Sequence, residues 1–274
     1  MTEIPYSNIL SSKPFRFFVG PHRNEFTLHS TLVASQSRAL DAIVNSTMKE
    51  AADGATNWEH VDEQTFIRFG QYVYTGNYEG EPPSKPELDL NEGDTDEKNG
   101  EPADDDFWAI PSKKSKKKKI AFGDEPVQQF ATKREQARHS FEIQRSYDYG
   151  DSGACFDVKN TDCRVEYKNV FLSHARLHML ADYYGIEQLA QLTLHKLHRA
   201  LCSFQLHEER VCDVVDLLRF CFEEEEPVQL RELVVMYTVC QFEKLWKNAD
   251  FKQLLMERVG LSVAVLGSML ARLD

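Results

Sequence analysis

Apolar and polar positions alternate from Phe15 to Val19, with Phe15, Phe17 and Val19 separated by Arg16 and Phe18. That period of two predicts a strand with one buried face. Gly20-Pro21-His22-Arg23-Asn24 has turn chemistry, and Phe26 and Leu28 resume the alternation, which predicts a hairpin. After His29 the period changes. Leu32 and Val33 belong to a first short helix, and Ser37 is placed to cap a second whose apolar positions are Leu40, Ile43 and Val44. His29 is expected to cap the strand-helix junction through a backbone hydrogen bond. Asp53-Gly54 marks a turn before a short strand at Asn57–His60 around Trp58. Asp62 then caps a helix to Thr75, with Phe66, Phe69 and Val73 on one stripe and Gly76 at its left-handed end.

From Gly80 to about Gly123 the period stops. Pro82, Pro83, Pro86, Pro102 and Pro111 break any element, which predicts a charged, largely disordered insertion spanning 80–162. Within it, Glu125–Ile143 reads as a surface helix (Val127, Phe130, Ala131, Arg134, Ala137) and Tyr147–Gly153 as loop. Cys163, Val165 and Tyr167 alternate and predict a strand returning to the sheet. Asn169–Tyr184 reads as an amphipathic helix with Leu172, Ala175, Met179 and Tyr183 on one face, stopped by Gly185. Ile186, Leu189, Leu194, Leu197 and Leu201 stripe a second helix. Beyond 205 a helical tail follows, striped by Val211, Val214, Val215 and Leu218, then Leu230, Leu233, Val234 and Tyr237. Phe251, Leu254 and Leu255, and finally Val263, Leu266 and Leu270, complete it. The acidic run Glu223–Glu226 sits against the negative pole of its helix and predicts fraying there.

Phe26-Thr27-Leu28-His29-Ser30-Thr31-Leu32-Val33-Ala34-Ser35-Gln36-Ser37 resembles the hairpin-to-helix segment of the BTB (POZ) domain. Met48-Lys49-Glu50-Ala51 is similar to the short segment that follows there. Phe66 through Tyr72-Val73-Tyr74-Thr75-Gly76-Asn77-Tyr78 resembles that family's helix ending in Tyr-Thr-Gly. Phe171 to Leu189, with Leu180-Ala181-Asp182-Tyr183-Tyr184-Gly185-Ile186-Glu187-Gln188-Leu189, resembles its last helical hairpin. The pattern is closest to fungal BTB proteins that carry little else. The resemblance implies an α+β, BTB/POZ fold, a small mixed sheet flanked by helical hairpins. That domain would be split into 15–79 and 163–201 by the long insertion, with an all-α C-terminal extension at 205–274. It also implies a homodimer face from the N-terminal strand and first helices, here Phe15, Phe17, Leu32, Val33, Leu40, Ile43 and Val44.

The formal net charge of -12 argues against a nucleic-acid role for the whole chain. The charge is uneven. Glu87–Asp106 holds ten acidic residues against Lys98, and Lys113, Lys114, Lys116, Lys117, Lys118 and Lys119 follow around Ser115. That lysine run matches a nuclear-import signal or an anion-binding patch, although a solvated charge block is the plainer reading. Six cysteines show no CxxC pair, and the last four sit among apolar residues in helical segments. Met1–Leu10 lacks a basic region followed by an apolar run, and no window approaches about 18 apolar residues. A reducing cytoplasmic or nuclear location is expected, without membrane association.

Catalytic chemistry is sparse. His174 and His178 stand four apart, as zinc ligands can, but Ala175 stands where a metalloprotease helix has glutamate, and no third ligand is evident. Two ordinary histidines at a core edge fit better, and His195 and His198 read as solvent-facing. No nucleophile-base constellation or phosphate loop occurs. The expectation is therefore a non-enzymatic interaction module without cofactor, homodimerising as a scaffold or adaptor of other proteins. Two alternatives accompany it. In a cullin-type ubiquitin ligase adaptor, the family often shows a hydrophobic-x-Glu pattern at the cullin contact, where this chain has Phe66-Ile67-Arg68, and no kelch, MATH or zinc-finger module accompanies it. A nuclear regulator would instead contact nucleic acid or chromatin through the lysine run.

Overall fold

The computed structural model describes residues 4–47, 49–85, 133–143, 160, 162–223 and 227–271. The lysine run, most of the predicted insertion, Met48, the Tyr147–Gly153 loop and the acidic run at 224–226 lie outside them. The protein is a mixed α+β fold.

A short helix α1 (Tyr6–Ser11) precedes the hairpin of β1 (Pro14–Val19) and β2 (Asn24–His29). Helices α2 (Ser30–Ala34), α3 (Arg38–Asn45) and α4 (Lys49–Asp53) lead to β3 (Ala55–Trp58), and α5 (Glu63–Thr75) follows. The sheet order is β2-β1-β3. β1 pairs antiparallel with β2, Phe17 opposite Phe26, and parallel with β3, Phe17 opposite Thr56. β1 alternates as its sequence predicts, with Phe15, Phe17 and Val19 facing inward. Ser37 caps α3 by accepting from the Leu40 N–H at 3.1 Å, and Asp62 caps α5 by accepting from Thr65 at 2.9 Å. Gly76, at φ 71°, closes α5 in the left-handed region that glycine occupies without strain.

After α6 (Lys133–Ile143) come the two longest helices, α7 (Lys168–Tyr183) and α8 (Glu187–Ser203), joined by a tight turn. Gly185 (φ 64°) is the left-handed residue, and the Ile186 N–H reaches back to the Ala181 carbonyl at 2.7 Å. A single turn of 3₁₀ helix, Glu208–Arg210, leads into α9 (Val211–Cys221), α10 (Val228–Cys240), α11 (Phe242–Leu245), α12 (Ala249–Glu257) and α13 (Val259–Leu270).

Two apolar cores form, and α7 and α8 belong to both. The first joins the sheet, α2, α3 and α5 to Leu177, Leu180, Tyr184, Leu189 and Leu192. Its centre is Trp58, stacked on Tyr184 at 4.4 Å between ring centroids and edge-on to Phe17 at 4.9 Å. The second joins Phe171, Ala175, Leu194 and Leu197 to the helices from α9 onward. The helices expected as a separate extension beyond 205 thus share a core with α7 and α8.

Three sequence expectations change. α7 is buried nearly all round rather than on one stripe, and Tyr183, expected inside, is exposed. The segment at 163–167 joins no sheet. It makes one bridge, Glu166 with Ser84, after which the Tyr167 N–H turns to the Asp213 carboxylate at 2.8 Å and α7 begins. α6 forms Lys133–Ile143 of the surface helix expected from Glu125; most of its side chains from Glu135 on are exposed, and Phe141 anchors it in the second core against Tyr237. Along α13 it is Leu261 and Val265 that face inward, while Val263, Leu266 and Leu270 are exposed.

Replacing Trp58 by Ala removes the ring on which both halves of the first core close. A loss of about 3–5 kcal/mol is expected, read from the urea midpoint of the full chain; an unchanged midpoint contradicts this view of the core.

Candidate functional site

The densest polar constellation lies where the chain leaves α5 and crosses α7. Thr75 donates its hydroxyl to the Gln71 carbonyl at 2.7 Å and accepts from the Asn77 N–H at 3.1 Å, which turns the chain sharply. The Glu79 N–H then bonds the Gln71 side-chain oxygen at 2.8 Å. Arg68, one turn earlier, donates from Nε to the Glu79 carbonyl at 3.2 Å and pairs with the Glu81 carboxylate. The Glu81 N–H bonds the Ser173 hydroxyl at 3.2 Å, and that hydroxyl donates to the Val170 carbonyl. Residues 77–84 therefore form a strap tied to α5 by Arg68 and to α7 by Ser173, ending in the Ser84–Glu166 bridge.

Under the strap, the Tyr78 hydroxyl meets His174 Nδ1 at 2.7 Å. Lys196 stands over the Tyr78 ring at 4.3 Å and bonds the Tyr78 carbonyl. Gly80 is a steric requirement: a Cβ there would lie 2.6 Å from His174 Cε1. Burial above all, then the charges of Lys196 and Arg68, pushes the imidazole down to about 3, so it is neutral at physiological pH. Tyrosine and histidine in contact could exchange a proton, but His174 is only 5% exposed, packed beneath backbone. The constellation ties the strap to α5, α7 and α8.

The other histidines follow the same pattern. His178 Nδ1 lies 3.0 Å from the Thr193 hydroxyl and 3.2 Å from the Ala190 carbonyl, and burial lowers its pKa. His198, expected to face solvent, is buried, and its Nε2 donates to the Phe141 carbonyl at 2.6 Å, which docks the end of α6. Burial lowers its pKa too. His29 does not cap α2. Its Nδ1 pairs with the Tyr74 hydroxyl at 2.8 Å, joining the end of β2 to α5. Among the described residues no cluster of three or more histidine, cysteine or acidic side chains could hold a metal ion. Five described cysteines are free thiols, of which Cys212 is exposed, and burial pushes Cys202 up to about 12, far from a reactive thiolate.

Of the side chains expected on a dimer face, Phe15, Phe17, Leu32, Val33, Leu40 and Val44 are buried in the chain's own core, with Ile43 partly so. Packing within the chain takes up nearly all the surface of the first six and part of that of Ile43. The same segments expose other side chains: Tyr6 and Leu10 on α1, Arg16 on β1, Ala39 and Ala42 on α3. At the cullin-type positions, Phe66 is buried in the core and Arg68 beneath the strap, leaving Ile67 exposed between them. Sequence periodicity could not reveal the role of Arg68, because its partners lie in a stretch without periodicity. No family model and no curated protein sequence matches the chain.

Two outcomes test the strap. Arg68→Glu sets a buried carboxylate beside the Glu79 carbonyl and the Glu81 carboxylate, and should lower unfolding free energy by about 3 kcal/mol or more in urea titration. Stability should also fall on acidification. The folded pKa of His174 lies below its unfolded 6.5, so the unfolded chain takes up the proton first. Its contribution is complete above about pH 6.5 and is lost as pH falls toward 3. His178 and His198 shift in the same direction. Between pH 7 and 5 the unfolding free energy should drop by about 2 kcal/mol for His174, and His174→Gln should flatten that slope.

Proposed function

We propose that this chain is a protein-interaction module of the BTB (POZ) type, homodimeric, and a scaffold or adaptor for other proteins. One observation carries the reading. The hairpin-to-helix stretch at 26–37, the helix ending in Tyr74-Thr75-Gly76, and the hairpin from Phe171 to Leu189, which share the family's features, pack largely around one core despite the long separation in sequence. Trp58 on β3 meets Tyr184 at the end of α7, so neither half encloses that core alone.

The polar chemistry of the described residues supports binding rather than catalysis, since its closest acid-base pair lies under the strap. The dimer face proposed here uses the exposed side of the N-terminal segment, where Tyr6 and Leu10 project from α1 and Ile9 anchors that helix to the core. Apolar burial across a two-fold axis would drive association.

Light scattering on the full chain should give at least a dimer at micromolar concentration. Tyr6→Glu combined with Leu10→Glu should weaken that dimer at least tenfold without altering the melting temperature appreciably. A wild-type monomer removes the reading; an association unaffected by the double change moves the face elsewhere.

A further inference from the structure

The C-terminal helix α13 is apolar on two sides, and only one of them is used. Leu261 and Val265 are buried against the second core. On the opposite side Val259, Val263, Leu266 and Leu270 are each at least 60% exposed. Their spacing of four, three and four residues forms a continuous seam of the kind that packs against another helix. A second row runs beside it at the same spacing, Gly260, Ala264, Gly267 and Ala271, of which Ala264 is partly buried against the second core and the other three are exposed. A Cβ added at Gly260 or Gly267 would meet nothing within 4 Å, so this row is a shallow trough beside a ridge.

We propose that this face of α13 binds the same face of a second copy of this chain, ridge into trough about a two-fold axis. Three features favour that occupant. The face is self-complementary, each copy presenting both the large row and the small one, as an isologous contact requires. It also carries no ionisable residue from Val259 to Ala271, so closing it removes no charge from water. For a chain of net charge -12, an uncharged face lets two copies approach without opposing like charges at the contact. The four ridge residues present roughly 450 Å² per copy and the small row beside them adds to it, so a pair would bury about 900 Å² or more, the size of a weak, reversible contact.

A bilayer is the competing occupant, and the helix is poorly made for one. Surface-lying membrane helices carry lysine or arginine along their polar side, whereas α13 has none and its other side is covered by protein. The pair α12 and α13 is bent by 105°, so the two do not form a straight span.

This contact is separate from the α1 face of the proposed function and can fail independently of it. The test is sedimentation equilibrium of the full chain from 5 to 100 µM, with the 31.6 kDa monomer as reference. Val263→Glu with Leu266→Glu should lower the weight-average mass at least twofold. Gly267→Lys provides a second variant that keeps every ridge residue and improves helix propensity, and it should do the same with the melting temperature maintained. The inference is overturned if the wild type is a monomer at 100 µM, or if both variants keep the wild-type mass. Flotation of a monomeric wild type with phosphatidylcholine–phosphatidylserine vesicles, lost in the variants, would likewise overturn it in favour of lipid. Charges at Tyr6 and Leu10 bear on the first contact alone, so the two failures have different signatures.

Discussion

A helix with protein on nearly every side can turn few polar residues to water, and α7 is such a helix: between Val170 and Ala181 only Arg176 is exposed. Its N-terminal half lies in the second core and its C-terminal half in the first. Ser173, His174 and His178 are therefore obliged to find partners inside, which come from the strap, through Glu81 and Tyr78, and from Thr193 on α8. Much of the polar interior around the strap answers that obligation. It explains why the chain beyond α5 runs as a strap rather than ending at Gly76, why Gly80 carries no side chain, and why α8 brings Thr193 and Lys196 to the same face. The same helix joins the two cores mechanically, since neither can open without exposing one end of it.

Much of the fold was legible where a single period governed a segment with one wet face. The β1–β2 hairpin, β3, the caps at Ser37 and Asp62 and the glycine ends at 76 and 185 all follow from local rules that need no knowledge of neighbours. The misreadings arose where both faces of an element are apolar or where polar residues lie inside. α7 and α13 each carry more apolar positions than one stripe can hold. On α13 the pattern names two candidate faces, and only packing decides that Leu261 and Val265 are the buried ones. His198 looked like a surface residue because nothing in α8 discloses the carbonyl of Phe141 that it binds.

A related limit of the pattern shows at the residues expected on a dimer face. Periodicity identifies which side chains want burial but cannot say whether they find it within the chain or across an interface, and here the sheet and α5 take them. An interface must use what folding leaves over. In this protein the exposed aromatic and aliphatic side chains include Tyr6 and Leu10 on α1, Ile67 and Tyr74 on α5, and Val259, Val263, Leu266 and Leu270 on α13.

The Ser84–Glu166 bridge sets the ends of an intervening stretch of chain side by side. To the folded body that stretch is a ring whose entry and exit are already fastened, so its circumference is nearly invisible energetically: doubling a closed loop costs only about 0.6 kcal/mol. Phe141, in the second core, and Asn160, bonded to the Gln205 carbonyl at 2.9 Å, tie described parts of that stretch to the body. By the same arithmetic, added length between Ser84 and Glu166 costs the fold little. The bridge thus marks a seam along which sequence can drift while architecture stands still.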